Sequence, residues 1–424
     1  MGGYVAQHGG PPERIAAVTS ASISQHIQPN FSNSDGDSLL AATAQLMLIA
    51  DRPARVMVRG AGSYLWDHAG ARYLDFVQGW AVNSLGHAPP EIAAALHEQA
   101  LTLVNPSPAF HNAPQLELAR ELAAAAGLAT VHFANSGVEA NEAALKLARK
   151  WGRLHRAGAH EVITTENGFH GRTLAMMAAS GKPGWDALFP PKMPGFAKAP
   201  FGDVAAIAAR IRSETVAVMV EPIQGEAGVV MPREGYLREL RALCDRHDIL
   251  LICDEVQTGM GRLGTLFAFE QEGVRPDILT LGKGLGGGVP VSAVLANARA
   301  SCFVPGDQGG TYNGNPLMTA VARRVFSIVA SEAFLARVRA TGRYLERRLE
   351  PLCTAHGLGL RGRGLLWALV LPENCAERIV RASFARGLLL NAPRPNLLRL
   401  MPSLRVSEAE IDEMAALLEQ AFAD

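Results

Sequence analysis

From residue 131 to residue 296 the chain keeps returning to one pattern: a short apolar run, then a longer stretch with polar positions at helical spacing. The runs are VHFA (131–134), EVITT (161–165), TVAVMV (215–220), ILLIC (249–253), ILTL (278–281) and VSAVLA (291–296). A strand with one wet face alternates apolar and polar side chains, whereas a near-continuous apolar run is covered on both faces. Alternation with helices therefore predicts an α/β fold with a large domain built on a mostly parallel sheet covered by helices on both faces. Upstream, helices are expected over Pro90 to about Val104 and over Gln115–Ala125, with short strands and turns at SYLWD, ARYLDF and AVNSLGH. Downstream, Leu317–Leu352 reads as one or two long helices. RGLLWALVL, a helix near Glu377–Arg386, LLLNAP, LLRLMP and an amphipathic helix from Glu408 follow. These describe a smaller α+β domain. The expected division is 43–100 as the N-terminal segment of the small domain, 101–320 as the large domain and 321–424 as the C-terminal small domain. Residues 1–42, rich in Gly, Ser, Pro, Gln and Asn without periodicity, read as a disordered extension.

Composition narrows the function. The 424 residues are 48% hydrophobic and 19% charged, ordinary for a globular enzyme, and 40 basic residues balance 40 acidic ones. Such a chain has no electrostatic reason to seek nucleic acid or an anionic membrane. No apolar run is long enough to span a bilayer, and MGGYVAQHGGPPERIAAV lacks the form of a secretory signal. The five cysteines form no C-x-x-C and the twelve histidines no H-E-x-x-H, so neither a disulfide framework nor a metal site is expected. A reducing, cytoplasmic setting follows.

In such sheets ligands gather at the carboxyl ends of the strands. After VHFA comes Ser136-Gly137-Val138-Glu139, opening a helix. Ser136 and Glu139 fit a capping box, and the same turn fits a phosphate cradle of backbone N–H groups; the sequence leaves both open. After ILLIC comes Asp254-Glu255-Val256-Gln257. An ATPase magnesium strand looks similar, but the glycine-rich loop it needs is absent. A buried carboxylate can instead pair with a protonated ring nitrogen. After ILTL comes Gly282-Lys283-Gly284. Most lysines in glycine loops are solvated surface groups. Here the strand end, the flanking glycines and Asp254 on the same sheet edge favour a Schiff-base nucleophile. GMGRLG (259–264) and GLGLRG (357–362) match a dinucleotide fingerprint, yet neither opens a strand–turn–helix unit.

Taken in order, YLWDHAGARYLDF, GWAVNSLGH, FANSGVEANEAALKLAR, FHGRTLA, VEPIQGEAGV, DEVQTGMGRLG, DILTLGKGLGGGVP, GGTYNGNPL and NLLRLMPSL resemble the ornithine-type (class III, fold-type I) pyridoxal-phosphate aminotransferases. The resemblance runs from about Pro53 to the C-terminus and implies pyridoxal 5'-phosphate as cofactor. It implies Lys283 as the cofactor-bound amine and proton carrier, and Asp254 against the ring nitrogen. Gln257 would meet the phenolic oxygen, Val256 and Phe169 would sandwich the ring, and Glu255 would belong to the same cofactor-binding stretch. Ser136, Gly137 and Val138 would hold the phosphate, with Thr311 reaching the cofactor of a homodimer partner. Arg172 would take the distal carboxylate and Arg399 the α-carboxylate of glutamate or 2-oxoglutarate. Glu226 would neutralise Arg399 when the donor lacks that carboxylate. Gly310 and Trp80 would border the substrate. The implied reaction moves the δ-amino group of N-acetyl-L-ornithine to 2-oxoglutarate, in ping-pong fashion, within arginine biosynthesis. Succinylornithine, ornithine and 4-aminobutyrate are the alternative donors, and an aminomutase or decarboxylase is the alternative outside the class. Three positions depart from the family's habit: Val138 for Thr or Ala, Gly310 for Ser, and Trp80 for an aliphatic residue.

Overall fold

A computed structural model describes residues 33–423. Its centre is a seven-stranded sheet in the order β4-β10-β9-β8-β7-β5-β6. The strands are β4 (Thr130–Ala134), β5 (Glu161–Thr165), β6 (Phe196–Ala199), β7 (Thr215–Val220), β8 (Leu250–Asp254), β9 (Ile278–Leu281) and β10 (Ser292–Ala296). Only β10 runs against its neighbours. Every residue of β7, β8, β9 and β10 is buried, which is why those runs carry no polar alternation. The helix Gly137–His155 lays Ala140, Ala143, Ala144, Leu147, Ala148 and Trp151 on the sheet. Its alanines let it approach closely. β6 was not anticipated: it is an edge strand, half-buried and carrying Lys198, so its apolar run is short.

Two smaller sheets flank this layer. In one, β1 (Met57–Ala61), β2 (Tyr64–Asp67) and β3 (Arg72–Asp75) are joined by β13 (Leu388–Leu389) from far along the chain. β13 pairs parallel to β3, so the two ends of the sequence share a sheet. In the other, β11 (Gly359–Arg363), β12 (Leu366–Val370), β15 (Leu397–Leu400) and β14 (Asn391–Arg394) pair antiparallel. The expected helices appear at Pro90–Thr102, Ala113–Ala126, Ala376–Ala385 and Glu408–Phe422, and the long helical stretch divides into Pro316–Val329 and Glu332–His356. The expectation of disorder over 1–42 falls largely on residues 1–32, outside the described residues. Residues 33–41 form a helix instead, ending in Leu39-Leu40-Ala41, all strong helix formers.

Parallel strands deliver their carboxyl ends to one edge. β4 leads to Ser136, β7 to Glu221, β8 ends on Asp254 and β9 leads to Lys283. The register pairs Asp254 with Thr280, three residues before Lys283.

Candidate active site

Asp254 is held on both oxygens. Oδ2 accepts from His170 Nδ1 at 2.8 Å and Asn141 Nδ2 at 2.8 Å. Oδ1 accepts from Val256 N–H at 3.1 Å and the Thr280 hydroxyl at 3.4 Å. With His170 and Asn141 themselves buried, the carboxylate is fixed and aimed at a cavity of about 290 Å³. Lys283, Asp254, Phe169, Val256, Gln257, Arg172, Glu226, Gly137 and Val138 all line that cavity.

Lys283 stands in the left-handed region at φ 40°, a strained place for a side-chain-bearing residue. Gly284 beside it must be small, because a Cβ there would lie 2.8 Å from Ser84 Oγ. Burial pulls the Lys283 amine below the ordinary lysine range, and Arg399 adds to this against the opposing pull of Asp254 and Glu226. A less basic amine is a better nucleophile at neutral pH.

The helix beginning at Gly137 bears on the capping box. Ser136 makes no side-chain cap bond. Its hydroxyl donates to Glu139 Oε2 at 2.7 Å, and the same oxygen accepts Asn135 N–H at 3.0 Å. The expected reciprocal box therefore does not form, because Glu139 has turned toward the strand–helix turn. Ser136 itself is exposed and outside the cavity lining. The helix terminus, with its partial positive charge, is left facing the cavity at Gly137 and Val138. A Cβ on Gly137 would sit 2.6 Å from Val256 Cγ1, so glycine lets this terminus pack against the Val256 wall of the cavity.

Arg399 is fully buried behind Glu226. Its Nη2 donates to Glu226 Oε1 at 2.7 Å and to Asn391 Oδ1 at 2.8 Å; Nε donates to Asn391 at 3.0 Å and Nη1 to Gln257 Oε1 at 3.4 Å. Burial pushes the Glu226 carboxyl up, but Arg399 outweighs it and holds it below the usual carboxylate range. Glu221 also lines the cavity and accepts Phe169 N–H at 2.9 Å. Burial, reinforced by Asp254, pushes it up to about 8.

Several expected residues lie elsewhere. Glu255 faces the other side of β8's continuation, where its oxygens accept Ala268 N–H at 2.6 Å and Phe269 N–H at 2.9 Å. Alternation along an extended chain puts neighbours on opposite faces, so Glu255 caps a turn while Asp254 meets the cavity. Trp80 is 54% exposed and outside the cavity lining, carried outward by a left-handed turn over Gln78–Ala81 with φ between 48° and 64°. Gly310 and Thr311 are also outside the lining, Thr311 exposed with its carbonyl accepting from Asn105 Nδ2 at 3.4 Å. His170, Asn141, Glu221 and Asn391 were not anticipated. His170 adjoins Phe169 in FHGRT, and Glu221 opens the PIQGE turn after a buried strand; both positions were signals.

The cavity fits pyridoxal 5'-phosphate, the group implied by the resemblance. An amine for its aldehyde, a fixed carboxylate for its ring nitrogen and a helix terminus for its phosphate open on one space of a size suited to a small ligand. Comparisons with known proteins point the same way. Residues 49–422 match the family described as Aminotransferase class-III. Acetylornithine aminotransferase 2 of Bordetella bronchiseptica is 56% identical over 379 residues, covering 88% of this chain and 95% of that protein. The structure of N-acetylornithine aminotransferase from Stenotrophomonas maltophilia K279a has a TM-score of 0.78 at 36% identity, covering 91% of this chain and 98% of that one. Ornithine aminotransferase from Toxoplasma gondii ME49 has a TM-score of 0.85 at 32% identity, covering 97% and 99%.

Proposed function

The chain belongs to the class-III aminotransferases, which work with pyridoxal 5'-phosphate, and from that premise we propose that it moves the terminal amino group of N-acetyl-L-ornithine to 2-oxoglutarate. The products are N-acetyl-L-glutamate 5-semialdehyde and L-glutamate, a step toward arginine. The observation that carries a terminal-amine donor is the Arg399–Glu226 pair at 2.7 Å, with Glu226 on the cavity side. The carbon bearing the terminal amine of acetylornithine has no carboxylate. A buried guanidinium left unpaired there would be costly, and Glu226 removes that cost. Glutamate brings a carboxylate of its own, which takes Arg399 once Glu226 swings aside. The 56% identity to a protein named acetylornithine aminotransferase 2 supports the same donor.

When bound, the cofactor supplies an electron-poor ring that stabilises negative charge on the carbon bearing the amine. Asp254, locked by His170 and Asn141, would hold positive charge at the ring nitrogen. Lys283 Nζ anchors the cofactor and, once displaced, carries the proton to and from the reacting carbon. Val256 and Phe169 would cover the ring faces, Gln257 would meet the phenolic oxygen, and Gly137 and Val138 would offer N–H groups to the phosphate. Arg172 takes the substrate carboxylate far from the reaction. The enzyme works as a homodimer in which the exposed Thr311 reaches the partner's cofactor. Exposed Leu101, Phe110 and Tyr312, near the Asn105–Thr311 link, provide an apolar surface for that contact. Its five free thiols suit the reducing cytoplasm.

A donor panel of acetylornithine, succinylornithine, ornithine and 4-aminobutyrate with 2-oxoglutarate tests the assignment. Acetylornithine is expected to give the highest kcat/KM. A higher value for free ornithine would overturn it.

A further inference from the structure

Arg172 is strangely unsupported for a residue that must orient a substrate. Among the described residues its guanidinium has no hydrogen-bond or carboxylate partner; its contact is the Trp185 ring, with Cζ 5.7 Å from the centroid. The same ring receives Lys182, whose Nζ lies 5.2 Å from the centroid. On another side the indole meets Phe169 edge-on, at 5.7 Å and 64°. Trp185 is thus wedged between the wall of the cofactor cavity and two cations.

Lys182 lies just outside the cavity lining, half-buried, with no carboxylate within ion-pair distance among the described residues. Burial holds its amine below the usual lysine range; the charges bearing on it are Glu226, which opposes that, and Arg172, Arg394 and Arg399, which add to it. Arg394 donates to the neutral Asn167 Oδ1 at 3.2 Å. Of the charges that bear on Lys182, three are cations and one is a carboxylate, Glu226, which is already paired with Arg399. Partly desolvated positive charge without a partner is unfavourable for Lys182, and with the exposed Arg172 sharing its Trp185 ring this pair of cations suits an incoming anion. Arg172 offers a planar fork and Lys182 a point charge, and one carboxylate can accept both.

We propose that Lys182 is a second carboxylate-binding residue of the substrate site, acting with Arg172, and that Trp185 is the positioning residue that orients both cations. The ligand class is an amino or keto acid whose carboxylate lies distal to the reacting carbon. The inference rests on the aminotransferase reading above and deepens it by naming what selects the distal carboxylate.

The test uses the holoenzyme and glutarate, a dicarboxylate that cannot react, with binding read by calorimetry. K182M is expected to weaken glutarate about tenfold, the scale of one hydrogen bond to a charged group. K182R is expected to recover most of that. Glutarate bound by K182M as tightly as by wild type overturns the proposal. W185L is expected to weaken glutarate and to raise KM for 2-oxoglutarate with kcat nearly unchanged. W185F, which keeps a ring and preserves the fold if W185L does not, is expected to fall between W185L and wild type; wild-type glutarate affinity in W185F overturns the role of Trp185. Single-turnover rates with N-acetyl-1,4-diaminobutane, a donor without the carboxylate, are expected to match between K182M and wild type. An equal loss on both donors overturns carboxylate recognition. If wild type fails to use acetylornithine at all, the donor assignment falls, and the glutarate measurement still decides the role of Lys182.

Discussion

Glu226 and Arg399 face each other at 2.7 Å, and Asn391 grips the same guanidinium from the other side at 2.8 and 3.0 Å. Arg399 is thus immobilised by a neutral amide while its charge is answered by a residue that borders the cavity. The neutral partner and the charged one are different side chains, so in the proposed exchange a substrate carboxylate would replace Glu226 without loosening Arg399.

Replacing Glu226 separates the two half-reactions. In E226Q the guanidinium loses its countercharge only when the donor brings no α-carboxylate. The half-reaction with acetylornithine is expected to slow by about thirty- to a hundred-and-fifty-fold, since stripping one partner from a buried charge costs roughly 2–3 kcal/mol. The half-reaction with glutamate is expected to hold or improve, because its carboxylate no longer displaces an anion. Stopped-flow single-turnover rates for the two donors check this, and parallel losses would count against the exchange.

The Asp254 anchor makes a different prediction. D254N keeps the shape but loses the negative charge, and His170 Nδ1 and Asn141 Nδ2 are left facing a group that accepts less well. Turnover is expected to fall by about a hundred- to ten-thousandfold, the range for losing a principal proton-handling or charge-stabilising group. Weaker cofactor retention on gel filtration is expected alongside it. H170A leaves Asp254 in place but frees one of its oxygens, so an intermediate loss is expected.

Much of this arrangement was legible in the sequence because burial writes itself into apolar runs. β5, β7 and β9 end on the same residues that the runs at 161–165, 215–220 and 278–281 mark, and their chemistry follows at the next positions. What escaped was whatever depends on pairing across the fold. Asn391 sits opposite Arg399 in the antiparallel β14–β15 register, a contact no linear spacing announces. Glu255 was drawn into the site by its neighbour, although alternation alone turns it away. The Ser136–Glu139 spacing fits a capping box, yet Glu139 folds back on Asn135, because spacing gives reach and not direction.

Glu221 gives the protein a pH signature. Burial, then Asp254, raises its carboxyl from an ordinary 4.5 to about 8. Between those values the folded protein keeps a proton that the unfolded chain has lost. The folded state then binds more protons than the unfolded one, so stability from this group falls as pH rises across that window. E221Q keeps an acceptor for Phe169 N–H and cannot ionise. Urea denaturation from pH 5 to 8 is expected to show a steeper decline for wild type than for E221Q, and equal slopes would refute the assignment. Glu255, also pushed up to about 8 by burial, contributes the same sign in both proteins and cancels from the comparison.

Gly137 carries the last prediction, because there the constraint is pure space. Its missing Cβ would lie 2.6 Å from Val256 Cγ1 and 3.0 Å from Cγ2. G137A must therefore push Val256 off the cavity wall or lift the helix terminus away from it. Either movement changes the distance between the helix terminus and the Val256 surface, the two groups proposed to hold the cofactor's phosphate and ring. Overpacking of this kind costs about 1–3 kcal/mol, so cofactor affinity is expected to drop about five- to a hundredfold. Helix propensity works the other way by up to about 1 kcal/mol, since alanine favours the helix over glycine; a small loss of thermal stability in the cofactor-free protein beside a larger loss of cofactor affinity is thus the expected pattern. The double variant G137A/V256A removes the colliding methyls. It is expected to regain part of the affinity that G137A loses, although V256A alone weakens ring contact. Titration of the four proteins with pyridoxal 5'-phosphate completes the cycle, and strict additivity of the two losses would show that Gly137 and Val256 do not set this distance together.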